Sequence, residues 1–308
     1  MGLILSFLLV LMPLQDRAGT ILSFWNLENM FDWRDDGKGA SDAEFSTKGE
    51  RRWTSRRFYA KCDAVAKTIL LMGEEYGHLP DAVGFAEVEN AFVVKQICSS
   101  TILRKAGYKV VHYESPDPRG IDCALIYRPS SLRLVESRPC HTDTLATRDI
   151  LLCQFVTSGG DSLAVSVNHH PSKYGGDESG GRRAVAVRVL CGICDSLSAA
   201  GWRCHIAMGD FNEGPGNSVY DALKERMVCL SIPLLSPSSG TIKFNGDWDL
   251  IDQAYASPSL DAEQYIFSHP VLLEKDKAHS GFKPRRTYIG PRYNGGVSDH
   301  LPIVIVKK

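Results

Sequence analysis

The amino-acid sequence predicts a single domain that mixes β-strands with α-helices. Three observations carry this. Short apolar runs recur along the chain and stop at clusters of polar residues, the pattern of buried strands that end at a sheet rim. Between them lie stretches of helical period, as in Phe58, Cys62, Val65, Ala66, Ile69 and Leu70 on one face of a helix starting near Thr54. No Ser/Gly linker, repeat or low-complexity tract marks a boundary in the 308 residues, a length at which α/β and two-sheet proteins are often one domain.

The chain begins with an apolar segment, Leu3 to Leu14, too short to span a bilayer but matching the core of a secretory signal. Residues 1–19 are therefore read as a signal peptide or N-terminal apolar segment, and 20–308 as the folded domain. Export to the periplasm or exterior is expected, with a cytoplasmic location as the alternative. No Lys or Arg precedes the run, and Asp16 occupies the outer small position of the cleavage site, so a packed N-terminal strand or helix is the competing reading. No integral span is expected in the mature chain, and a monomer is expected.

Taken in order, Thr20 to Trp25 reads as a strand ending at Asn26-Leu27-Glu28-Asn29. Residues 33–50 form a charged surface loop whose Asp35-Asp36 pair reads as solvated. Arg51, Arg52, Arg56, Arg57 and Lys61 open the first long helix, as a solvated face or a phosphate-contacting edge. A buried strand, Asp81 to Ala86, ends at Glu87-Val88-Glu89, where only Glu87 lies near the rim. Tyr108 to Tyr113 alternates, and Ile121 to Arg128 runs as a strand. Residues 149–156 and 162–168 form a hairpin-like pair.

That hairpin ends in Asn168-His169-His170-Pro171-Ser172-Lys173, a polar loop in which alternation puts the two imidazoles on opposite faces. A helix over 181–199 contains Cys191 and Cys194, read as buried thiols because no second CxxC or CxxH completes a zinc site. Nine cysteines, an odd number, cannot all pair within one chain.

His205 to Asp210 is a strand that delivers Asp210 and, two residues on, Asn212. Alternation points both side chains the same way, so that acceptor and donor grip one water or phosphate oxygen; an ordinary Asx-turn is the bland alternative. A short helix follows over about 217–224. Trp248 to Tyr255 reads as one strand with Asp252 embedded among apolar residues, costly unless paired. Ser298-Asp299-His300 opens a last strand. A formal net charge of −1 argues against tight, sequence-independent binding of nucleic acid over the whole surface.

Together these stretches resemble the endonuclease/exonuclease/phosphatase superfamily, the group containing deoxyribonuclease I, exonuclease III and neutral sphingomyelinases. The order of a strand-end Asn26, a strand-end Glu87, the Asn168-His169 loop, Gly209-Asp210-Phe211-Asn212, Ile251-Asp252 and Ser298-Asp299-His300 matches that group across residues 20–306. The NLENMFD start and the GIDCALIYRP segment look like an exported bacterial branch.

The resemblance implies an α+β fold, a four-layer α/β/β/α sandwich of two mixed sheets flanked by helices. It implies a metal-dependent phosphodiester hydrolase, a nuclease by first reading, that activates water with Mg²⁺ or Mn²⁺. Phosphatase or phospholipase-type hydrolysis is the second reading, and a catalytically silent binding module the third. Glu87 is implied as principal metal ligand, with Asn26 beside it and Asp299 completing that site or a second one. Asp210 would orient or deprotonate the water, and Asn212 would hold the phosphate. His300 would face the phosphate with its tautomer fixed by Asp252, and His169 would donate to a phosphoryl or leaving oxygen. Asn168, Asp122 and Arg128 are placed near the substrate, a strand-end salt bridge being the other explanation for the last two. The Lys283 to Asn294 insertion mixes Arg with Tyr, which suits either base stacking or an ordinary exposed loop.

Overall fold

The computed structural model describes residues 19–142, 145–172 and 177–308. The strands of its two large sheets, in chain order, are β1 (Thr20–Met30), β2 (Ala82–Val88), β3 (Lys109–His112), β4 (Asp122–Tyr127), β5 (Leu132–Cys140), β6 (Ile150–Thr157), β7 (Ser162–His169), β8 (His205–Asp210), β9 (Val228–Cys229), β10 (Asp252–Ala256), β11 (Ala262–Ile266) and β12 (Ile303–Lys307). The longer helices are α1 (Ser55–Tyr76), α2 (Ala91–Ser99) and α3 (Asp177–Ala199). The leader and Lys173 to Gly176 of the His loop lie outside the described residues.

The first sheet has the order β11-β12-β1-β2-β4-β3 and the second β5-β6-β7-β8-β10-β9. Each contains one parallel pair, β1 with β2 and β7 with β8, among antiparallel neighbours. A parallel pair needs a crossover, and α1 and α3 supply the two crossovers. Thr54 starts α1, its hydroxyl accepting from the Arg57 N–H at 3.4 Å, and Gly77 ends it in the left-handed region.

Three apolar layers follow from period-two alternation. Leu22 and Phe24 of β1 meet Val165 and Val167 of β7 and Met208 of β8 between the sheets. Ile21 and Trp25, one residue out of phase, pack with Phe58, Val65 and Ile69 of α1 outside the first sheet. Ala207 and Tyr255 pack with Val187 and Leu190 of α3 outside the second. The expected four-layer sandwich is thus the observed one. Gly84 marks the closest approach of the sheets: a Cβ there would lie 2.9 Å from Met208 Cε and Val167 Cγ2.

Two expectations change. Trp248 to Tyr255 is not one strand. Asp247–Asp249 pairs with Ile242–Phe244 in a small hairpin, and the chain crosses at Leu250 and Ile251 before β10 begins. Lys61 is not solvated; it falls on the apolar face of α1 between Phe58 and Val65 and is buried. The cysteines are free thiols. Among the described residues, no helix is long and apolar enough to cross a membrane.

His205 opens β8 beneath α3, where its Nε2 meets Ser166 Oγ at 2.8 Å. Burial pushes its pKa down from 6.5 to about 4. Unfolded, the ring takes a proton near 6.5, so the stability linked to its neutral form is full above that pH and drains away as pH falls toward 4. Replacing His205 with Gln is expected to flatten the fall in unfolding free energy between pH 6.5 and 4 by about 3 kcal/mol, measured by denaturant titration at each pH.

Candidate active site

Each parallel pair ends at the same rim of the sandwich, and its last residues leave regular extended backbone. Glu28, Asn29, Glu87 and Asn212 all have positive φ, between 50° and 59°. For glutamate this conformation costs on the order of 1–3 kcal/mol, and such residues cluster where function holds them in place. At Glu87 it takes the carboxylate out of the alternation of β2. The Glu87 Oε2 atom accepts from the Asn29 N–H at 2.8 Å, and Oε1 lies 3.3 Å from Arg119 Nη2 and 3.9 Å from His169 Nε2.

Asp210 ends β8 and is buried beside the ends of both sheets. Its Oδ2 accepts from Asn26 Nδ2 at 3.0 Å and lies 3.6 Å from His169 Nε2 and 3.9 Å from His300 Nε2. The Asn26 Oδ1 atom accepts from the Glu28 N–H at 3.0 Å, which fixes the side-chain amide's orientation. Asp252 stands opposite Asp210 in the β8–β10 register, and its Oδ2 lies 2.8 Å from His300 Nδ1. Asp299 Oδ1 is 3.9 Å from His300 Nε2, while its Oδ2 accepts from Arg286 Nη2 at 2.8 Å. Contacts of 3.9 Å or less thus link Glu87, His169, Asp210, His300, Asp299 and Asp252.

The two imidazoles flanking Asp210 have their pKa values pushed in opposite directions. Burial lowers the His169 pKa well below 6.5, and Arg148 and Arg119 push it further down. Burial would do the same to His300, but the Asp252 carboxylate, with Asp210 and Asp299 behind it, outweighs burial and holds it well above 6.5. Burial raises Asp210 to about 7, with Asp252 adding to the rise; His300, the Asn26 amide and the Asn212 N–H pull the other way.

The remaining predicted residues fall elsewhere. Asn212 does not share the orientation of Asp210, because β8 ends first. Its N–H donates to Asp210 Oδ1 at 2.9 Å in an Asx-turn, and its side-chain amide donates to the His170 carbonyl at 2.9 Å. Asn168 is fully buried on the face of β7 opposite His169, and its amide donates to the Ser166 and Met208 carbonyls at 3.1 and 3.2 Å. It braces the strand pair and does not reach the cleft. Arg128 follows the far end of β4, about six residues or some 20 Å from the rim, and binds Asp81 at 2.5 Å in a strand-end salt bridge. Asp122 does lie at the rim end, but it is engaged by His112 Nε2 at 3.0 Å and the Ser115 N–H at 2.8 Å. His170 turns away from His169, as alternation requires, and packs against the Phe211 ring at 4.6 Å.

Sequence reasoning missed several residues around this array. Arg119, after the Pro116-Asp117-Pro118 turn, donates to Asn29 Oδ1 at 2.8 Å and reaches Glu87; a lone Arg in a turn gives no signal. Buried Arg148 joins Asp117 Oδ2 at 2.9 Å to the His170 carbonyl at 2.6 Å. Glu28 accepts from the Thr287 N–H at 2.6 Å and from Arg286 Nε at 3.2 Å. Burial and Asp299 raise Glu28 to about 7 against the pull of Lys61 and Arg286. Lys61 donates to the Glu28 carbonyl at 2.9 Å and Thr287 Oγ1 at 2.8 Å, and burial lowers it to about 8. Its helical spacing with Phe58 and Val65 was the available signal.

The donor chemistry fits a hard divalent cation. Glu87, Asn26 and Asp299 offer carboxylate and carboxamide oxygens, which suit Mg²⁺ or Mn²⁺. Glu87 Oε1 has only the 3.3 Å approach of a half-exposed guanidinium and an imidazole too distant to hydrogen-bond, so it keeps capacity to coordinate. Among the described residues, donor atoms of Asp210, Asp252 and His300 lie within 4.8 Å of one another, and neither Glu87 nor Asp299 belongs to such a set.

A family model described as the endonuclease/exonuclease/phosphatase family matches residues 21–308. Among solved structures, an endonuclease/exonuclease/phosphatase family protein from Bacteroides thetaiotaomicron superposes with TM-score 0.61 at 15% identity, over 94% of this chain and 97% of that one. The mannosyl-6-phosphatase of the same organism gives 0.60 at 15% identity, over 94% and 99%. The human Nocturnin catalytic domain with bound sulfate gives 0.57 at 18% identity, over 94% of each chain. No curated protein sequence matches the chain. The full-length family match, on a sandwich whose paired strand ends gather these acids and imidazoles at one rim, shows that the chain belongs to the endonuclease/exonuclease/phosphatase family, whose members are divalent-metal-dependent hydrolases of phosphoester bonds.

Proposed function

We infer that this chain hydrolyses phosphodiesters by direct attack of water, as an exported enzyme of the nuclease class. The observation that carries the reading is Asp210, buried and oriented by two hydrogen bonds, with the His169 imidazole at 3.6 Å and the His300 imidazole at 3.9 Å. A carboxylate so placed orients a water and takes its proton. His300, kept cationic by Asp252, donates to a phosphoryl oxygen as negative charge builds there. His169, neutral, offers one ring N–H to a second oxygen or the leaving group. Mg²⁺ or Mn²⁺, held by Glu87 with Asn26 and Asp299, would neutralise charge on the phosphoryl group. Asn212 acts through the loop, tying the Asp210 turn to the His170 backbone.

A phosphatase reading is favoured by one observation. The tyrosines of the 283–294 insertion face inward: Tyr288 is buried with its hydroxyl on the Arg51 carbonyl at 2.9 Å, and Tyr293 lies under the Arg57 guanidinium at 4.3 Å. They offer no stacking platform for bases, which leaves polynucleotide contact to the arginines on the rim.

Purified protein is expected to cut plasmid, single-stranded DNA or RNA with Mg²⁺ and to stop with EDTA. Release of inorganic phosphate from monoesters without polymer cleavage would establish the phosphatase reading instead. Asp210→Asn is expected to lower kcat by about 10²–10⁴ with an unchanged circular dichroism spectrum; full turnover in that variant would refute the assignment. His169→Ala should reduce turnover far more than His170→Ala. The latter should mainly lower Tm, since it empties space beside Phe211 and Tyr220. Asp252→Asn should bring the His300 titration, followed by NMR in the presence of chelator, down from its raised position. The raised value means that the couple stabilises the fold fully below pH 6.5 and less as pH climbs through the folded-state pKa, a dependence the variant should lose.

A further inference from the structure

Beyond the end of β1, four carboxylates converge at a place the hydrolytic array does not use. Asp32, Asp42 and Glu89 are buried, and Asp36 is exposed beside them. Donor atoms of Asp32, Asp36 and Glu89 lie within 4.8 Å of one another. Asp42 joins them through its Oδ2, which accepts from the N–H groups of Asp36 at 2.9 Å and Lys38 at 3.1 Å. Glu89 Oε2 accepts from the Asp32 N–H at 2.7 Å, bringing the end of β2 to the same point. Asp35, by contrast, only caps the Gly37 N–H at 3.1 Å, so the adjacent acids split between a turn and this cluster.

The charge there is only partly compensated, by one arginine. Arg34 grips Asp32 with both Nε and Nη2, at 3.2 and 2.8 Å. Among the described residues, no Lys, Arg or His forms an ion pair with Asp36, Asp42 or Glu89. Two of the buried oxygens, Glu89 Oε1 and Asp42 Oδ1, have no hydrogen-bond partner. Buried carboxylate oxygens are ordinarily paired, hydrogen-bonded or bound to metal. Here the donor set is oxygen only; the Glu89 orphan belongs to the close set, and the Asp42 orphan to the residue that accepts from the Asp36 N–H beside it.

We propose that Asp32, Asp36, Asp42 and Glu89 form a calcium site, separate from the hydrolytic centre. Three or four carboxylates on a loop suit Ca²⁺, which takes six to eight oxygens in flexible geometry; Mg²⁺ keeps several waters and is usually bound by one or two carboxylates. The ion would brace more than its own loop. A Cβ at Gly39 would lie 3.3 Å from the Pro118 carbonyl, and one at Gly120 would lie 3.9 Å from the Lys38 carbonyl, so the 32–44 segment abuts the turn that carries Arg119. Arg119 in turn holds Asn29 and Glu87.

The test uses the full chain stripped with chelator, as the unsubstituted protein and as Glu87→Gln, Asp36→Asn and Asp42→Asn. Calcium at a hundredfold excess over its Kd is expected to raise Tm by roughly 5 °C. Terbium is expected to emit when Trp33, next to Asp32, is excited. Both signals should persist in Glu87→Gln, weaken about tenfold in affinity in Asp36→Asn and vanish in Asp42→Asn. Asp36 is on the surface, so its variant keeps the test readable if Asp42→Asn does not fold. Absence of both signals in Glu87→Gln, unchanged titrations in Asp36→Asn, or an equal Tm rise with Mg²⁺ at the same concentration would overturn the proposal.

Discussion

A hydrogen bond joins the two sheets at the rim, from the Asn26 amide to the Asp210 carboxylate at 3.0 Å. Its partners belong to strands 184 residues apart, each the first or second member of a parallel pair. For the bond to form, both crossovers must send their strands in the same direction and the sheets must meet in one register. Gly84 lets them approach closely enough, and the side chains of Val167 and Met208 fill the space it leaves. Everything chemical at the rim is downstream of that packing.

The electrostatics follow from depth. Taking Asp210, His169 and His300 out of water penalises the charged form of each. What separates them is their neighbours: His169 has the guanidiniums of Arg148 and Arg119 nearby, whereas His300 has Asp252 bonded at one nitrogen. Two imidazoles of the same intrinsic basicity therefore have their pKa values pushed in opposite directions within 4 Å of one carboxylate oxygen. The backbone contributes as well. Positive φ at Glu28, Asn29 and Glu87 turns their side chains out of the alternation that would otherwise alternate them between layers.

Much of this was legible in the chain, because apolar period two and period 3.6 are strong signals and because polar residues interrupting them stand out. The strands carrying Asn26, Glu87, His169, Asp210 and Asp252 were each read from such an interruption, and so was the opposite facing of His169 and His170. What failed did so for identifiable reasons. Asn168 and Arg128 were placed near the site by the family resemblance, but alternation sends Asn168 to the other face and strand length carries Arg128 to the other end. Asn212 was aligned with Asp210 on an alternation that stops where the strand stops. Arg119 and Arg148 contact residues outside their own segments with no local pattern to announce them, and for Lys61 helical spacing signals burial but not its partner Thr287, 226 residues distant.

The inward-facing rings of the 283–294 insertion determine how this wall of the cleft behaves. Tyr288 is anchored to the Arg51 carbonyl, Tyr293 lies beneath Arg57 and against Trp53, and Thr287 is held by Lys61 and Glu28. A hairpin fastened at so many points acts as a fixed template, not as a closing flap. Under the proposed function, selectivity on this side would rest on shape and on the guanidinium of Arg286, which the Glu28 and Asp299 carboxylates hold in place.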